Sequence, residues 1–151
     1  MLATQSNLAN TYTKMGRLEE ALNMDRDIYY GHVKLNGADH HRTLGAAYNY
    51  AAALKRLDRF EEARSIMRKT MPVARRVLGE SHELTLKMRS IYAQALCLDT
   101  SATLDDLREA VTTLEDVERI VRRTFGGTHP FAALIEQYLH TARAALCLRT
   151  H

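Results

Sequence analysis

The feature that most constrains this fold is a short segment that the 151-residue chain repeats at a fixed distance. The segment reads LNGADHHRTL at positions 35–44 and VLGESHELTL at positions 77–86, so its glycine and its histidine each recur after about 42 residues. A looser copy, TFGGTHPFAAL, begins at Thr124. A period of this length is typical of repeat proteins, in which each unit buries its apolar face against its neighbours.

The residues between these segments predict two helices in each repeat. The first, near Asn7 to Lys14, is followed by a second whose apolar stripe has helical spacing. This stripe consists of Leu18, Ala21, Leu22 and Ile28, and Asp25 lies on the same face. Gly16 separates the two helices and suits a left-handed turn. Asp58 takes the corresponding place in the second copy, where that backbone conformation is less favourable.

Alignment of the copies predicts one domain of three full repeats and a half repeat. NLANTYTKMGRLEEAL, from Asn7, falls over NYAAALKRLDRFEEAR, from Asn49. The third copy needs extra polar residues, DTSAT at 99–103, which lengthen its turn. The predicted domain therefore covers 1–151, with repeats at about 1–37, 38–79 and 80–126 and a half repeat at 127–151.

The repeated segment is predicted to end one helix and to start the next. Gly37 and Gly79 fit the C-cap of the long second helix, and Pro130 fits the first turn of the last helix. The candidate N-caps are Asp39 or His40 in the first copy and Ser81 or His82 in the second. Adjacent histidines, and histidines one repeat apart, cannot face a common ion, so no metal site is predicted.

Two further features concern helix packing. Small residues recur at matching places, such as Ala51 and Ala93, and should let paired helices approach closely. Pro72 falls inside the second helix of the second copy, where it removes a hydrogen bond. We expect a kink near residues 68–71 or an early end of that helix.

Composition excludes several classes of protein. The formal net charge is only +3, so nucleic-acid binding is not predicted. The N-terminus lacks the pattern of a signal peptide, and no apolar stretch is long enough to cross a bilayer. Cys97 and Cys147 have no metal-type spacing and suit a reducing compartment. The expected location is cytoplasmic.

The motifs NLANTYTKMGRLEEAL, LDRFEEA and VLGESH resemble the tetratricopeptide repeat, in the 42-residue form found in kinesin light chains. The resemblance implies an all-α, right-handed superhelical solenoid of antiparallel helix pairs. It also implies that the first helices line a concave groove that binds an extended peptide. The chain departs from the pattern at Asp58, in the stretched third turn, and in having Pro only after His129.

The repeat register then predicts which residues face the groove. The predicted peptide-binding residues are Asn7, Asn10, Lys14, Tyr48, Asn49, Lys55, Arg56, Lys87 and Gln94. Four of these are basic and none is acidic, so an acidic peptide is the favoured partner. The side-chain amides can hydrogen-bond a peptide backbone. The alternative is that these are merely polar residues on a solvated helix face.

No enzymatic activity and no cofactor are predicted. The consecutive glutamates Glu19 and Glu20 are explained by the helix dipole, and no histidine is placed to serve Cys97, although Lys55 and Arg56 could lower its pKa.

A third reading is a structural or self-assembling segment of a larger scaffold. The apolar surface of the last helix, 130–148, would then mediate homo-oligomerisation. The alternative is that this helix simply caps the array.

Overall fold

The computed structural model describes residues 2–150, and the side chains of residues 5–150, as seven α-helices without a strand in that range. The helices are α1 (Leu2–Lys14), α2 (Leu18–Asn36), α3 (His41–Arg56), α4 (Phe60–Leu78), α5 (Glu83–Leu98), α6 (Leu104–Phe125) and α7 (Pro130–Thr150). The predicted all-α class is confirmed.

The helices pack in two layers. Each helix packs against the next one in the chain, and α3, α5 and α7 also pack side by side. By contrast, α2, α4 and α6 do not contact one another in the described chain. The α1 helix packs against α2 alone in the same range. The inner layer is therefore continuous from α3 to α7.

The small residues at matching places of the repeats are buried in the core. The equivalent alanines Ala51 and Ala93 are both fully buried, and Ala9 is 2% exposed. The matching alanines of the second helices, Ala21, Ala63 and Ala110, are equally inaccessible. Because a side chain larger than a methyl group has no room at these places, the repeat fixes helix spacing through composition.

The repeated glycine–histidine segment is a paired helix stop and start. Gly37 and Gly79 end α2 and α4 with φ of 86° and 100°, which confirms the predicted C-caps. His40 and His82, rather than Asp39 and Ser81, are the N-caps of the following helices. In each case the ring Nδ1 atom accepts a hydrogen bond from the backbone N–H two residues later in the chain, at 3.1 Å.

The looser third copy uses the same chemistry. Gly126 ends α6 with φ of 89°, and the Nδ1 of His129 accepts from the backbone N–H of Phe131 at 3.1 Å. Pro130 is the first residue of α7, as predicted. Each of these histidines therefore satisfies a backbone donor at a helix start that has no partner within the helix.

The turns within the helix pairs also follow the sequence. Gly16 has a φ of 77°, and Asp58 adopts the same left-handed region with a φ of 58°. The extra residues 99–103 separate α5 from α6. Thr103 then starts α6 with a capping box, in which its hydroxyl and the Asp106 carboxylate each accept a backbone N–H of the other residue.

The expectation of an early helix end at Pro72 is wrong. The α4 helix continues to Leu78 through the proline. Its neighbours Met67 and Ala74, on either side of Pro72, are completely buried, so tertiary packing holds the helix despite the missing N–H. A kink at this point stays a prediction.

Candidate peptide-binding groove

The inner layer of helices encloses a cavity of about 190 Å³ between α3, α5 and α7. We call this cavity the groove. Its lining consists of Tyr48, Ala52, Lys55, Arg56, Lys87, Ser90, Ile91, Gln94, Phe131, Leu134 and Tyr138. Three of these residues are basic and none is acidic, so the groove offers cationic donors to an incoming group.

A lysine and a glutamine link α3 to α5 at the floor of the groove. Lys55 Nζ donates to Gln94 Oε1 at 2.7 Å, and Gln94 Nε2 donates to the Ser90 carbonyl at 3.2 Å. Gln94 is only 5% exposed. Burial lowers the pKa of Lys55, and the nearby Arg56 charge lowers it further. The floor is thus a preorganised polar pair rather than two mobile side chains.

One wall of the groove is aromatic and apolar. Tyr48 of α3 faces Tyr138 of α7, and burial raises the pKa of the Tyr48 phenol, with a smaller contribution from Tyr138. Phe131 is 6% exposed, whereas Leu134 is 45% exposed. The groove therefore combines cationic donors with an apolar surface that a ligand side chain could cover.

Two carboxylates outside the lining compete for the groove cations. Lys87 Nζ lies 3.4 Å from Glu83 Oε1, one helical turn earlier. Asp25 of α2 is buried, and this burial raises its pKa to about 6 against the opposing effect of Arg56. The predicted binding face therefore has a lower net positive charge than its own residues indicate.

The structure brings together five of the nine predicted groove residues. Tyr48, Lys55, Arg56, Lys87 and Gln94 all line the cavity. The remaining four, Asn7, Asn10, Lys14 and Asn49, are exposed but do not line it. The first three of these lie on α1, whose described residues do not pack against α3 and so do not extend the wall.

Sequence reasoning missed the apolar wall as part of the site. Ile91, Phe131 and Leu134 line the cavity, but the predicted peptide-binding residues do not include them. The spacing of Phe131, Leu134 and Tyr138 at i, i+3 and i+7 was a usable signal, because these positions share one face of a helix.

The idea that neighbouring cations lower the pKa of Cys97 is wrong. Burial raises the pKa of this thiol, and this effect outweighs the opposite influence of Lys55. The Sγ atom donates to the Gln94 carbonyl at 3.6 Å. Among the described residues, no cluster of histidine, cysteine and carboxylate side chains could hold a metal ion.

The exposed face expected on the last helix is smaller than the sequence indicates. Ile135 and Leu139 are buried, at 0% and 2% exposure, because α7 packs against α6. Leu139 is therefore a core residue and not a surface one. Leu148, near the end of α7, is 83% exposed. Within the described range, none of the seven helices has the length and apolar character needed to cross a membrane.

Comparison with known proteins agrees with this architecture. Two models described as tetratricopeptide repeat match residues 1–42 and 42–103. A sequence search finds no match among curated proteins. Two solved structures of nearly identical TPR-like repeats, assigned to a kinesin light chain of Podosopora anserina, are similar to this chain. One of the two is a point variant of the other.

Both Podosopora structures share 23% identity with the chain and cover 95% of it, with a TM-score of 0.84. BtubC (BKLC) from P. vanneervenii shares 16% identity over 95% of the chain, with a TM-score of 0.79. The chain spans 66% of the Podosopora chains and 56% of the BtubC chain, so it matches only part of each. The matches of the family models to residues 1–42 and 42–103, together with the paired helices and their repeated caps, show that the chain belongs to the tetratricopeptide repeat family.

Proposed function

We propose that this domain binds an extended acidic peptide of a partner protein in the groove between α3, α5 and α7. Tetratricopeptide repeats generally mediate protein–protein interaction. The observation that carries the acidic preference is the lining itself, which has Lys55, Arg56 and Lys87 and, among the described residues, no carboxylate. Charge complementarity of this kind favours acidic side chains or a terminal carboxylate.

The proposal assigns different tasks to the residues of the groove. Arg56 and Lys87 pair with acidic side chains of the peptide, displacing Glu83 from Lys87. Gln94 and Lys55 hold a polar group at the floor, and Phe131 covers an apolar side chain. The four predicted residues outside the cavity, Asn7, Asn10, Lys14 and Asn49, are proposed as secondary contacts along the same face.

Binding of a fluorescent acidic peptide, selected from a random library, tests the proposal. Arg56→Glu combined with Lys87→Gln should weaken binding about tenfold or more, because two charge-assisted contacts are lost. These side chains are preferable to Lys55, since replacing Lys55 would leave the buried Gln94 without its partner. Lys34→Glu combined with Arg123→Gln applies a matched charge change outside the groove and should leave affinity unchanged. Equal affinity of the groove variant and this control would refute the proposal.

Three further properties of the domain are proposed. The family is typically a non-enzymatic scaffold, and we infer that this domain has no catalytic activity and acts in the cytoplasm. The repeat division at 1–37, 38–79, 80–126 and 127–151 is proposed as the unit of stability.

A second candidate function is self-assembly through α7, favoured by the exposed Leu148. Sedimentation at several concentrations tests it, and Leu148→Glu should abolish any association. A monomer at every concentration would refute self-assembly and would leave the peptide-binding proposal untouched.

A further inference from the structure

A second cleft lies on the side of α5 that faces away from the groove. Arg89 and Tyr92 are about half a helical turn from Lys87 and Gln94, and they form the floor between α4 and α6. We call this site the outer cleft. It has a volume of about 220 Å³ and is lined by Arg68, Met71, Pro72, Arg75, Arg89, Tyr92, Glu109 and Thr113.

The side chain of Arg89 is the unusual feature of the outer cleft. It is only 8% exposed, and its Nη2 donates to Asp116 Oδ2 at 2.7 Å. Its Nε and Nη1 have no hydrogen-bond partner in the part of the chain that the structure describes. The Glu80 carboxylate is 4.0 Å from Nη1, which is too long for a hydrogen bond. Buried charged donors without acceptors are costly.

Two more guanidinium groups reach the same cleft from α4. The Arg68 Nε donates to the Tyr92 hydroxyl at 3.4 Å, and that hydroxyl donates to Glu109 Oε1 at 2.7 Å. Arg75 lies at the rim, 3.6 Å from the exposed Glu80. Glu109 is thus already engaged, whereas Nε and Nη1 of Arg89 have no acceptor in the described chain.

The arginines around the outer cleft affect the pKa of a neighbouring carboxylate. Burial would raise the pKa of Asp116, but the hydrogen bond from Arg89 and the charges of Arg89, Arg119 and Arg75 outweigh burial and lower it. The carboxylates nearby, Asp116, Glu80 and Glu109, leave Nε and Nη1 of Arg89 without an acceptor in the described chain.

We propose that the outer cleft binds a phosphoryl group. Guanidinium groups pair readily with phosphate oxygens, and a phosphate dianion can accept from Arg75 and Arg89 together. Glu80 is exposed, with 59% of its side chain accessible, so it can move aside to admit the ligand to Arg89. The apolar wall of Met71 and Pro72 leaves room for a small organic body attached to the phosphate. This site is independent of the groove.

The direct test is a titration with inorganic phosphate and with phenyl phosphate, at constant ionic strength, followed by NMR of the arginine Nε–H signals. The Arg89 signal should shift saturably with both ligands. Acetate is the carboxylate used for comparison. It should bind about tenfold more weakly than the phosphate ligands, because it has less charge and fewer acceptor oxygens. Equal affinity for acetate would overturn the phosphoryl assignment, and a non-saturating Arg89 signal would overturn the site.

Exposed side chains provide variants that keep the fold. Arg75→Gln should weaken phosphate binding about tenfold, since it removes one charged donor, and Glu80→Gln should strengthen it because a competing carboxylate is gone. Lys69→Gln is the matched control, as it removes one positive charge from α4 outside the cleft. If Lys69→Gln weakened phosphate binding as much as Arg75→Gln, net charge alone would explain the effect, and the proposal would be overturned.

Discussion

The groove and the outer cleft use opposite faces of the same helix, and they differ in how their cations are satisfied. In the groove, Lys55 has a hydrogen-bonded partner, and no carboxylate of the described residues lines the cavity. In the outer cleft, Glu109 is part of the lining, yet Arg89 retains two unpartnered donors within the described structure. Net charge alone therefore does not define a binding surface, because burial and existing partners decide which donors are free.

The largest change in stability should come from a substitution in the core of α5, the helix that contributes residues to both the groove and the outer cleft. Ala93→Leu places a larger side chain at a fully buried position of α5 and should destabilise the protein by about 1–3 kcal/mol through overpacking. Thermal or urea unfolding measures the change. Ala133→Leu, at an exposed position of α7, is the control and should have a small effect. Equal midpoints for the parent and Ala93→Leu would contradict the assigned register.

The groove side carries a buried carboxylate whose charge should oppose folding at neutral pH. The pKa of Asp25 is raised to about 6 in the folded protein, above the value of about 3.9 for an unfolded aspartate. The folded state then binds more protons between these values, so this group's contribution to stability falls as pH rises through that window. The contribution of Asp25 to stability is fully present at pH values below the unfolded pKa.

Asp25→Asn should therefore raise the free energy of unfolding by about 2 kcal/mol at pH 7.5, and the gain should vanish near pH 4. Urea unfolding at both pH values checks this. Asp27→Asn, an exposed position on the same helix, is the control. A gain that is equal at both pH values would show that the buried charge is not its cause.

The two sides of α5 should also respond differently to loss of a cation. Arg89→Met breaks the contact with Asp116 and should cost about 1.5 kcal/mol, whereas Lys87→Met removes only a partly exposed pair with Glu83 and should cost less than about 0.5 kcal/mol. Chemical unfolding of both variants measures the difference. Equal costs would mean that Arg89 is not the anchor between α5 and α6.

A smaller effect is expected at the helix starts that separate the repeats. His82→Ala should cost about 1 kcal/mol because the backbone N–H of Leu84 loses its acceptor, while His82→Asn should recover most of it. Ser81→Ala, next to the cap, should be nearly neutral. If Ser81→Ala were the more damaging change, the capping assignment would be wrong.

The repeat was sufficient to predict the helices, their glycine ends and the buried alanines, because these depend on local conformation and on a fixed period. The choice between Asp39 and His40 as cap was open, since both residue types can accept a backbone N–H. The continuation of α4 through Pro72 depends on how this helix packs in the core, where its residues Met67 and Ala74 are buried. Local sequence rules do not describe such packing.

The site was only partly predictable for the same reason. The repeat register groups a set of residues that the structure places around one cavity, namely Tyr48, Lys55, Arg56, Lys87 and Gln94. It could not show that α1 stands apart from α3, which removes Asn7, Asn10 and Lys14 from the cavity. The outer cleft combines residues of three helices, and its free donors follow from side-chain geometry alone.

The most direct test of peptide binding in the groove is backbone NMR mapping of the domain with the selected acidic peptide. Peptide binding in the groove predicts saturable shifts in the amides of Ala52, Gln94 and Tyr138, with those of Met71 and Thr113 in the outer cleft unchanged. Affinity should fall as salt is raised, because exposed charges are screened over about 8 Å at physiological ionic strength. Shifts confined to the outer cleft, or binding that does not depend on salt, would contradict binding of an acidic peptide in the groove.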